Sequence, residues 1–488
     1  MRAGRASTTR RLATVGLTVT ALALASAPAA LAAPGDWTQL SQASSSTIYP
    51  EIGNINEPTI ARFGSSLQVV WPARTGSNSD GYFTAILDGA GTVTTPSTQI
   101  ISNWATITDD PTLISLGGQR FLTFSGLQST TTGAPFTSGA QYFATSGDGI
   151  SWTMGSGTLS ETQSAYGSYG SDAVDNAGTP VWVGNAGTTT GIRWHSGISP
   201  TDPAPAGSDG QFLLAGCCAY NAAVARDEAT GAVFGSFYSN SSATTENGIQ
   251  VGQILPTQGA FAQAPGSVTI RDGAADSEDP SQQVALASRP GGGVYVAYAV
   301  GYPSATTIRL LQVGTSNTID VPGSANAEHI SLAGGPDGRM WISWVSGDRL
   351  KVVHTNTAVT RFGSTGAWGA PRGTDTMWKT TSSAAGGALD VVVTATTQAK
   401  INVWHTQVNR TLSLAASPVN PRRAGNVTFT VTDAGDPVAG AQVKIGGRTG
   451  MTNAAGKVTL RAPSSKGRAK ATASKTGYNP GTTSIRVR

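Results

Sequence analysis

Ile330–Val345 reads ISLAGGPDGRMWISWV: a run of small and apolar residues, a Gly-Pro-Asp-Gly turn, and a second run rich in β-branched and aromatic residues. The turn has the residue chemistry of a tight hairpin, and the flanks favour strands. The pattern recurs in PTIARFGSSLQVVW from Pro58, PTLISLGGQRFLTF from Pro111 and SDAVDNAGTPVWV from Ser171. It returns in AAVARDEATGAVFGSF from Ala222, QVALASRPGGGVYVAY from Gln283 and KTTSSAAGGALDVVV from Lys379. Most copies are spaced by about 45 to 60 residues, the period of propeller blades.

Each copy extends past its hairpin. Third strands are expected at YFTAIL from Tyr82, QYFATS from Gln141, GIRWHS from Gly191, GIQVGQI from Gly248, TIRLLQV from Thr307, RLKVVHT from Arg349 and KINVWHT from Lys400. Outer strands are plainest at ISWTM from Ile150, SVTI from Ser267 and NTIDV from Asn317. Four strands make one antiparallel blade. The last copy has no outer strand of its own, and WTQL, Trp37 to Leu40, is expected to supply it, closing the ring and hiding its edges. The reading is an all-β, seven-bladed propeller, with six blades the alternative if the weak third or seventh copy is misread.

Residues 1–32 read as an export signal. Arg2, Arg5, Arg10 and Arg11 form a basic start, Leu12 to Leu24 an apolar stretch, and Ala30-Leu31-Ala32 a small-residue cleavage site. Thr9-Arg10-Arg11-Leu12 is similar to a twin-arginine signal, and ordinary signals carry Arg pairs too. No later stretch is long and apolar enough to cross a membrane, so a secreted, extracellular or cell-wall-associated monomer is expected. Only 12% of residues are charged, too few for a surface of helices laced with ion pairs. From Pro34 to Arg410 there are 16 basic and 26 acidic residues, and from Thr411 to Arg488 there are 12 basic and 2 acidic. That asymmetry divides the chain into a propeller over 33–409 and a second domain over 410–488.

Ser146-Gly147-Asp148-Gly149-Ile150-Ser151-Trp152 resembles the Asp-box of sialidase-like, or BNR-repeat, propellers, one residue short of the usual form. In that motif Ser and Asp bond backbone groups to hold a hairpin turn, and the Trp packs between sheets. The resemblance implies the architecture of roughly Trp37 to Val408 and does not extend to the family's catalytic set. The sialidase enzymes clamp a carboxylate with three arginines, but Arg62, Arg226 and Arg289 lie late in their inner strands, toward the opposite face. They read as surface or inter-blade pairs, and no Arg-Ile-Pro signature is present. His195, His354 and His405 occupy matching ends of third strands, which repeat geometry explains better than a shared metal. His329 differs, because with Glu328 it stands where an inner strand begins.

The starts of the inner strands are the candidate site. Around the ring they carry Glu57, Asp110, Asp172, Tyr220 with Asn221, Asp279, Glu328 with His329, and Trp378. Turn chemistry accounts for part of this, since Asp-Pro and Glu-Pro open strands well. The functional reading is an acidic cup with aromatic walls. Carboxylates accept hydrogen bonds from hydroxyls and aromatic faces stack on sugars, which suits a neutral or cationic glycan. Carboxylates would suit Ca2+ as well, although no cofactor is evident. Cys217 and Cys218, the only cysteines, lie beside this mouth. In an oxidising compartment they are expected to form a vicinal disulfide, with free thiols or an interchain link as alternatives.

After Val408 the pieces PVAGA from Pro437, TNAAG from Thr452 and KTGY from Lys475 are similar to carboxypeptidase-regulatory-like and bacterial immunoglobulin-like domains. The resemblance implies a small β-sandwich used as a spacer or surface-binding appendage. Its Lys and Arg suit anionic envelope polymers, and a merely soluble basic domain is as plausible. The functional expectation is a propeller that binds polysaccharide or cell-envelope glycan through its mouth. Two alternatives remain: a glycoside hydrolase or polysaccharide lyase using mouth carboxylates or His329, and a protein-interaction scaffold. No nucleic-acid partner is expected, and no residue is assigned a catalytic or metal-binding role.

Overall fold

The computed structural model describes residues 37–41, 58–76, 79–104, 106–107, 111–127, 140–159, 171–185, 191–215, 219–240, 247–267, 284–302, 304–374, 376–397 and 400–488. The expected export segment lies outside them. Among the described residues every element is a strand, and no helix is long and apolar enough to cross a membrane.

From Thr59 to Val408 the described strands form seven antiparallel sheets, numbered here in chain order. Their first strands are Thr59–Phe63, Thr112–Leu116, Asp172–Asn176, Ala219–Arg226, Ala285–Ser288, Glu328–Gly334 and Met377–Ser383. Each starts one of the repeats read from the sequence. These strands lie side by side around a ring, each against the next and the seventh against the first. The arrangement is that of a β-propeller, with the first strands innermost.

The repeat folds this way because its hairpin is locally encoded. In sheet 6 the Gly335 N–H donates to the Arg339 carbonyl at 2.8 Å and the Gly338 N–H to the Gly335 carbonyl at 2.9 Å. Gly338 sits at a φ of 78°, where a side chain would be strained. The strands that follow alternate, so one sheet face meets each neighbour. An isolated sheet would leave both apolar faces wet. Accordingly the core is not central but divided between neighbours. Trp71 and Val392 belong to the cluster joining sheets 1 and 7, and Ile308 and Trp344 to that joining sheets 5 and 6. Equivalent clusters fill the other five junctions.

Closure comes from the N-terminal side of the chain, as expected. Thr38 pairs with His405 and Gln39 with Trp404, making Thr38–Gln39 the outer strand of sheet 7. The Leu40 N–H donates to Val403 at 2.8 Å, and the Trp37 indole N–H to Gly369 of sheet 6 at 2.9 Å. Leu40 itself is buried in the cluster between sheets 1 and 7. Among the described residues the outer strand of sheet 4 is Ala262–Gln263, and the segment expected from Ser267 lies, past Ser267 itself, outside the described residues. The Ser267 hydroxyl accepts the Ile249 N–H at 3.1 Å and donates to the Ala264 carbonyl at 2.8 Å, pinning the turn that leaves the sheet.

The chain continues into two further four-stranded sheets. They enclose their own core, which includes Phe429, Val443 and Ile485. Hydrogen bonds and ion pairs join this module to sheet 6. Asp433, fully buried, lies 3.2 Å from His354 Nε2 and 3.6 Å from Arg339, while Asp436 lies 2.9 Å from Arg339. Arg410 lies against Tyr478 and pairs with Asp337.

Leu40→Ala tests the closure. If the Trp37–Ser41 segment is integral to the ring, urea denaturation should show a loss of about 2–5 kcal/mol, the usual cost of emptying a buried leucine site. A silent substitution would mean that the segment does not hold the ring shut.

Candidate functional site at the mouth of the channel

Three of the inner strands begin with the same irregularity. In sheet 4 the register passes from Tyr220–Tyr238 to Ala223–Ser236, so three steps on the inner strand face two on its partner. Sheet 6 does the same between Glu328–Val345 and Ser331–Ser343, and sheet 7 between Met377–Ala395 and Thr380–Val393. One extra residue is a β-bulge, which re-aims the side chains around it. By register, Asn221, His329 and Trp378 occupy one equivalent position, followed by Ala222, Ile330 and Lys379. Asn221 and His329 have φ of 54° and 52°, a left-handed conformation costing a non-glycine residue about 1–2 kcal/mol. Backbone strain of this kind collects at functional sites.

Beside the bulges lies a cavity of about 360 Å3, lined by residues from all seven inner strands. Its lining includes Asn221, Lys379, Asp172, Thr59, Thr112, Ser171, Ser331 and Thr380. Ile60, Leu113, Val224 and Leu286 line it as well, but the surface it presents is predominantly polar. The volume is near the lower end for a small-ligand site.

Two wall positions also knit the ring. Asp172 accepts the Val224 N–H of sheet 4 at 2.9 Å and the Ala173 N–H at 2.8 Å. Thr59 similarly accepts the Leu113 N–H of sheet 2 at 2.9 Å. Burial pushes the Asp172 carboxyl up to about 7 against the pull of those bonds. Burial holds the His329 imidazole well below its ordinary value, and the neighbouring Lys379 cation adds to the effect. His329 is therefore neutral at physiological pH. Lys379 is 7% exposed, and its backbone N–H donates to Thr394 Oγ1 at 3.1 Å.

The sequence-derived candidates thus separate. Asp172 and Asn221 line the cavity. His329 is buried behind the wall, and Glu328 beside it is exposed. Trp378 is half-buried, its indole N–H reaching Thr396 Oγ1 at 3.4 Å. Tyr220 packs in the core between sheets 4 and 5, 6.1 Å from the Tyr238 ring. Glu57, Asp110, Asp279, Cys217 and Cys218 lie outside the described residues. Among the described residues no three His, Cys, Asp or Glu side chains gather to hold a metal ion. Lys379 was missed, yet the aligned copies contain its signal: a lysine stands where they have Ile330 and Ala222.

The opposite side of the ring is structural. Arg62 pairs with the buried Asp390 of sheet 7, which His405 also approaches at 3.1 Å. Arg226 donates to Asn176 of sheet 3 at 3.0 Å, and Arg289 to the Gly338 carbonyl of sheet 6 at 2.9 Å. Of the three arginines, Arg62 makes an inter-sheet ion pair and the other two make inter-sheet hydrogen bonds. The Asp-box turn is built as its residues imply. Asp148 accepts the N–H groups of Ile150 and Ser151, both at 2.8 Å, and these hold its carboxyl down to about 2. Ser146 Oγ accepts the Gly149 N–H at 2.8 Å. Arg120 then joins the turn to sheet 1, donating to Gln68 at 2.6 Å and to the Gly147 carbonyl at 2.7 Å.

Neither a protein-family model nor a curated protein sequence matches this chain. Solved structures do. A Trypanosoma rangeli sialidase mutant with trans-sialidase activity is similar at 12% identity and a TM-score of 0.43, over 77% of this chain and 59% of that one. This chain therefore spans under two thirds of that sialidase's length. The polysaccharide lyase Uly1 is similar at 10% identity and a TM-score of 0.42, over 76% of this chain and 94% of the lyase. The SapL1 lectin, in complex with a methyl fucoside, is similar at 14% identity and 0.40, over 66% of this chain and 98% of the lectin. Likeness at these levels transfers no activity and no ligand.

Asp172 makes a pH-dependent contribution whose sign is fixed. Its folded pKa of about 7 lies above the unfolded value of about 3.9, so its contribution is complete below pH 4 and lost as the pH rises through 7. Urea denaturation of Asp172→Asn and the parent at pH 5 and pH 8 should show the variant's relative stability improving at the higher pH. A constant difference between the two proteins would refute the shift.

Proposed function

We propose that this chain is a secreted, glycan-binding β-propeller of seven blades over residues 33–409, followed by an immunoglobulin-like sandwich over 410–488. The bound group is the end of a polysaccharide or cell-envelope glycan, received by the channel mouth. The observation that carries this reading is the cavity itself, whose predominantly polar lining is drawn from all seven inner strands and includes Asn221, Asp172, Lys379 and several Ser and Thr residues beside aliphatic ones. Such a wall can both donate to and accept from sugar hydroxyls while covering the ring's C–H faces. Its size suits a terminal sugar unit rather than a long chain.

Binding is favoured over hydrolysis. Glycosidases of the usual kind need two carboxyl groups flanking one bond. The described wall contributes one, Asp172, and both its oxygens accept backbone N–H groups. The lyase alternative needs a proton acceptor within reach of the ligand, and His329, its candidate, is buried and does not line the cavity.

A glycan array combined with an assay for newly formed reducing ends separates these readings. Binding without product is expected. Product release would replace the binding reading with an enzymatic one, and a blank array would leave protein partners. Asn221→Gly is the informative variant. Glycine relieves the positive φ, so the melting temperature should hold or rise while glycan binding falls roughly tenfold, the worth of about one good polar contact. Unchanged binding in that variant would remove the bulge from the site.

Cys217 and Cys218 immediately precede the bulged strand, which begins at Ala219. A disulfide between them would stiffen the approach to Asn221 and contribute little to global stability, because so short a loop has little entropy to lose. Intact-mass measurement after alkylation, with and without reductant, should show two alkylated thiols only in the reduced sample. Two alkylated thiols without reductant would refute the bond.

A further inference from the structure

The two acidic residues between Thr411 and Arg488 are Asp433 and Asp436. Both belong to one turn and both are engaged by sheet 6 and its loops. Asp433 is buried against Arg339 and His354, and Asp436 pairs with Arg339 and accepts the Thr357 N–H at 2.8 Å. Docking thus engages both carboxylate side chains of the module, burying Asp433 fully and leaving Asp436 22% exposed, while most of its twelve basic residues stay exposed.

Four of these cations share one sheet face. In the sheet of Arg448–Met451, Gln442–Ile445, Gly467–Ser474 and Gly481–Val487, the outward positions include Lys444, Arg468, Lys470 and Arg486. Arg468 stands directly opposite Arg486, Lys470 opposite Ser484, and Lys444 opposite Thr472. Neighbouring positions are about 5 Å apart across the strands and about 7 Å apart along them. Like charges facing each other weaken a sheet. No hydrogen bond or ion pair is made by these four side chains among the described residues. The alternating inward positions, Val443, Ile445, Ala471, Ala473 and Ile485, are the module's core, so the cations cannot turn inward.

We propose that this face binds an acidic polysaccharide, anchoring the chain to an anionic polymer independently of whatever occupies the channel mouth. Charge complementarity supplies the attraction, and the Ser and Thr hydroxyls between the cations match a ligand that is itself hydroxylated. The face has no aromatic side chain on which a nucleic-acid base would stack and no protruding element to enter a duplex groove. Its one large exposed apolar group is Met451 at the edge strand, too little for insertion into a lipid surface.

The test uses the whole chain against immobilised polygalacturonate, with neutral dextran, double-stranded DNA and phosphatidylglycerol vesicles as comparison probes. Retention on polygalacturonate that weakens with salt is expected, with none on dextran. Replacing Arg468, Lys470 and Arg486 by Ser should lower polygalacturonate affinity at least roughly tenfold and flatten its salt dependence. A second variant, Lys457→Ser with Arg461→Ser and Lys466→Ser, removes the same charge from outside this face and should stay within about threefold of the parent. Melting temperatures are matched first, and Gln replaces Ser at any position where Ser lowers them. No retention on polygalacturonate, or equal loss in the two triple variants, would overturn the assignment. So would DNA or vesicles held as tightly through the same three residues. Asn221→Gly should retain full polygalacturonate binding; its loss there would place the anionic ligand at the mouth instead.

Discussion

Two backbone residues close the ring. Thr38 and Gln39 pair with the third strand of sheet 7, so the first described strand and the last of the seven sheets are one structure. The constraint behind this is general to the architecture: each sheet has two apolar faces and can cover them only with its neighbours. An open ring would expose two such faces and an unpaired edge together. Closure is reinforced at several levels. Leu40 enters the apolar cluster between sheets 1 and 7, the Ser41 hydroxyl is held by Asn402, and Arg62 reaches across to Asp390.

The closed ring gives its two sides different work. On one, Arg62, Arg120, Arg226 and Arg289 each bond to a neighbouring sheet, and the Asp-box turn is held by Ser146 and Asp148. On the other, bulges shift the first strands by one residue, two of them through left-handed backbone at Asn221 and His329. A bulge interrupts the ladder, and the extra residue changes which side chains face the channel. That lets Lys379 occupy a wall position that its aligned copies fill with Ala222 or Ile330. The same inner strands still have to hold together, which is why Asp172 and Thr59 bond across sheet junctions while lining the cavity.

Charge is sorted along the chain in a comparable way. The C-terminal module's two carboxylates are drawn into its junction with sheet 6, where Arg339 and His354 meet them. Burying Asp433 without these partners would be costly, so the junction fixes the position of the turn that carries it. What remains outward is cationic by composition and flat by construction. The net charge of the chain, +4, conceals both facts.

The repeat, the hairpins and the closing strand were legible in the sequence because they rest on short-range rules: turn residues, strand-forming flanks and alternation along a strand. The Asp-box turn was legible for the same reason, since its bonds stay within a few residues. The channel was less so. Tyr220 and Asn221 are neighbours in sequence, yet one packs in a core and the other lines a cavity, because successive strand residues point to opposite faces and a bulge shifts that alternation by one. Lys379 became a wall residue only when seven strands were brought side by side. Asp433 and His354 are seventy-nine positions apart, and no local pattern connects them. Local backbone chemistry is written along the chain, whereas which side chains share a cavity or a buried ion pair is decided by how the ring closes and where the last module docks.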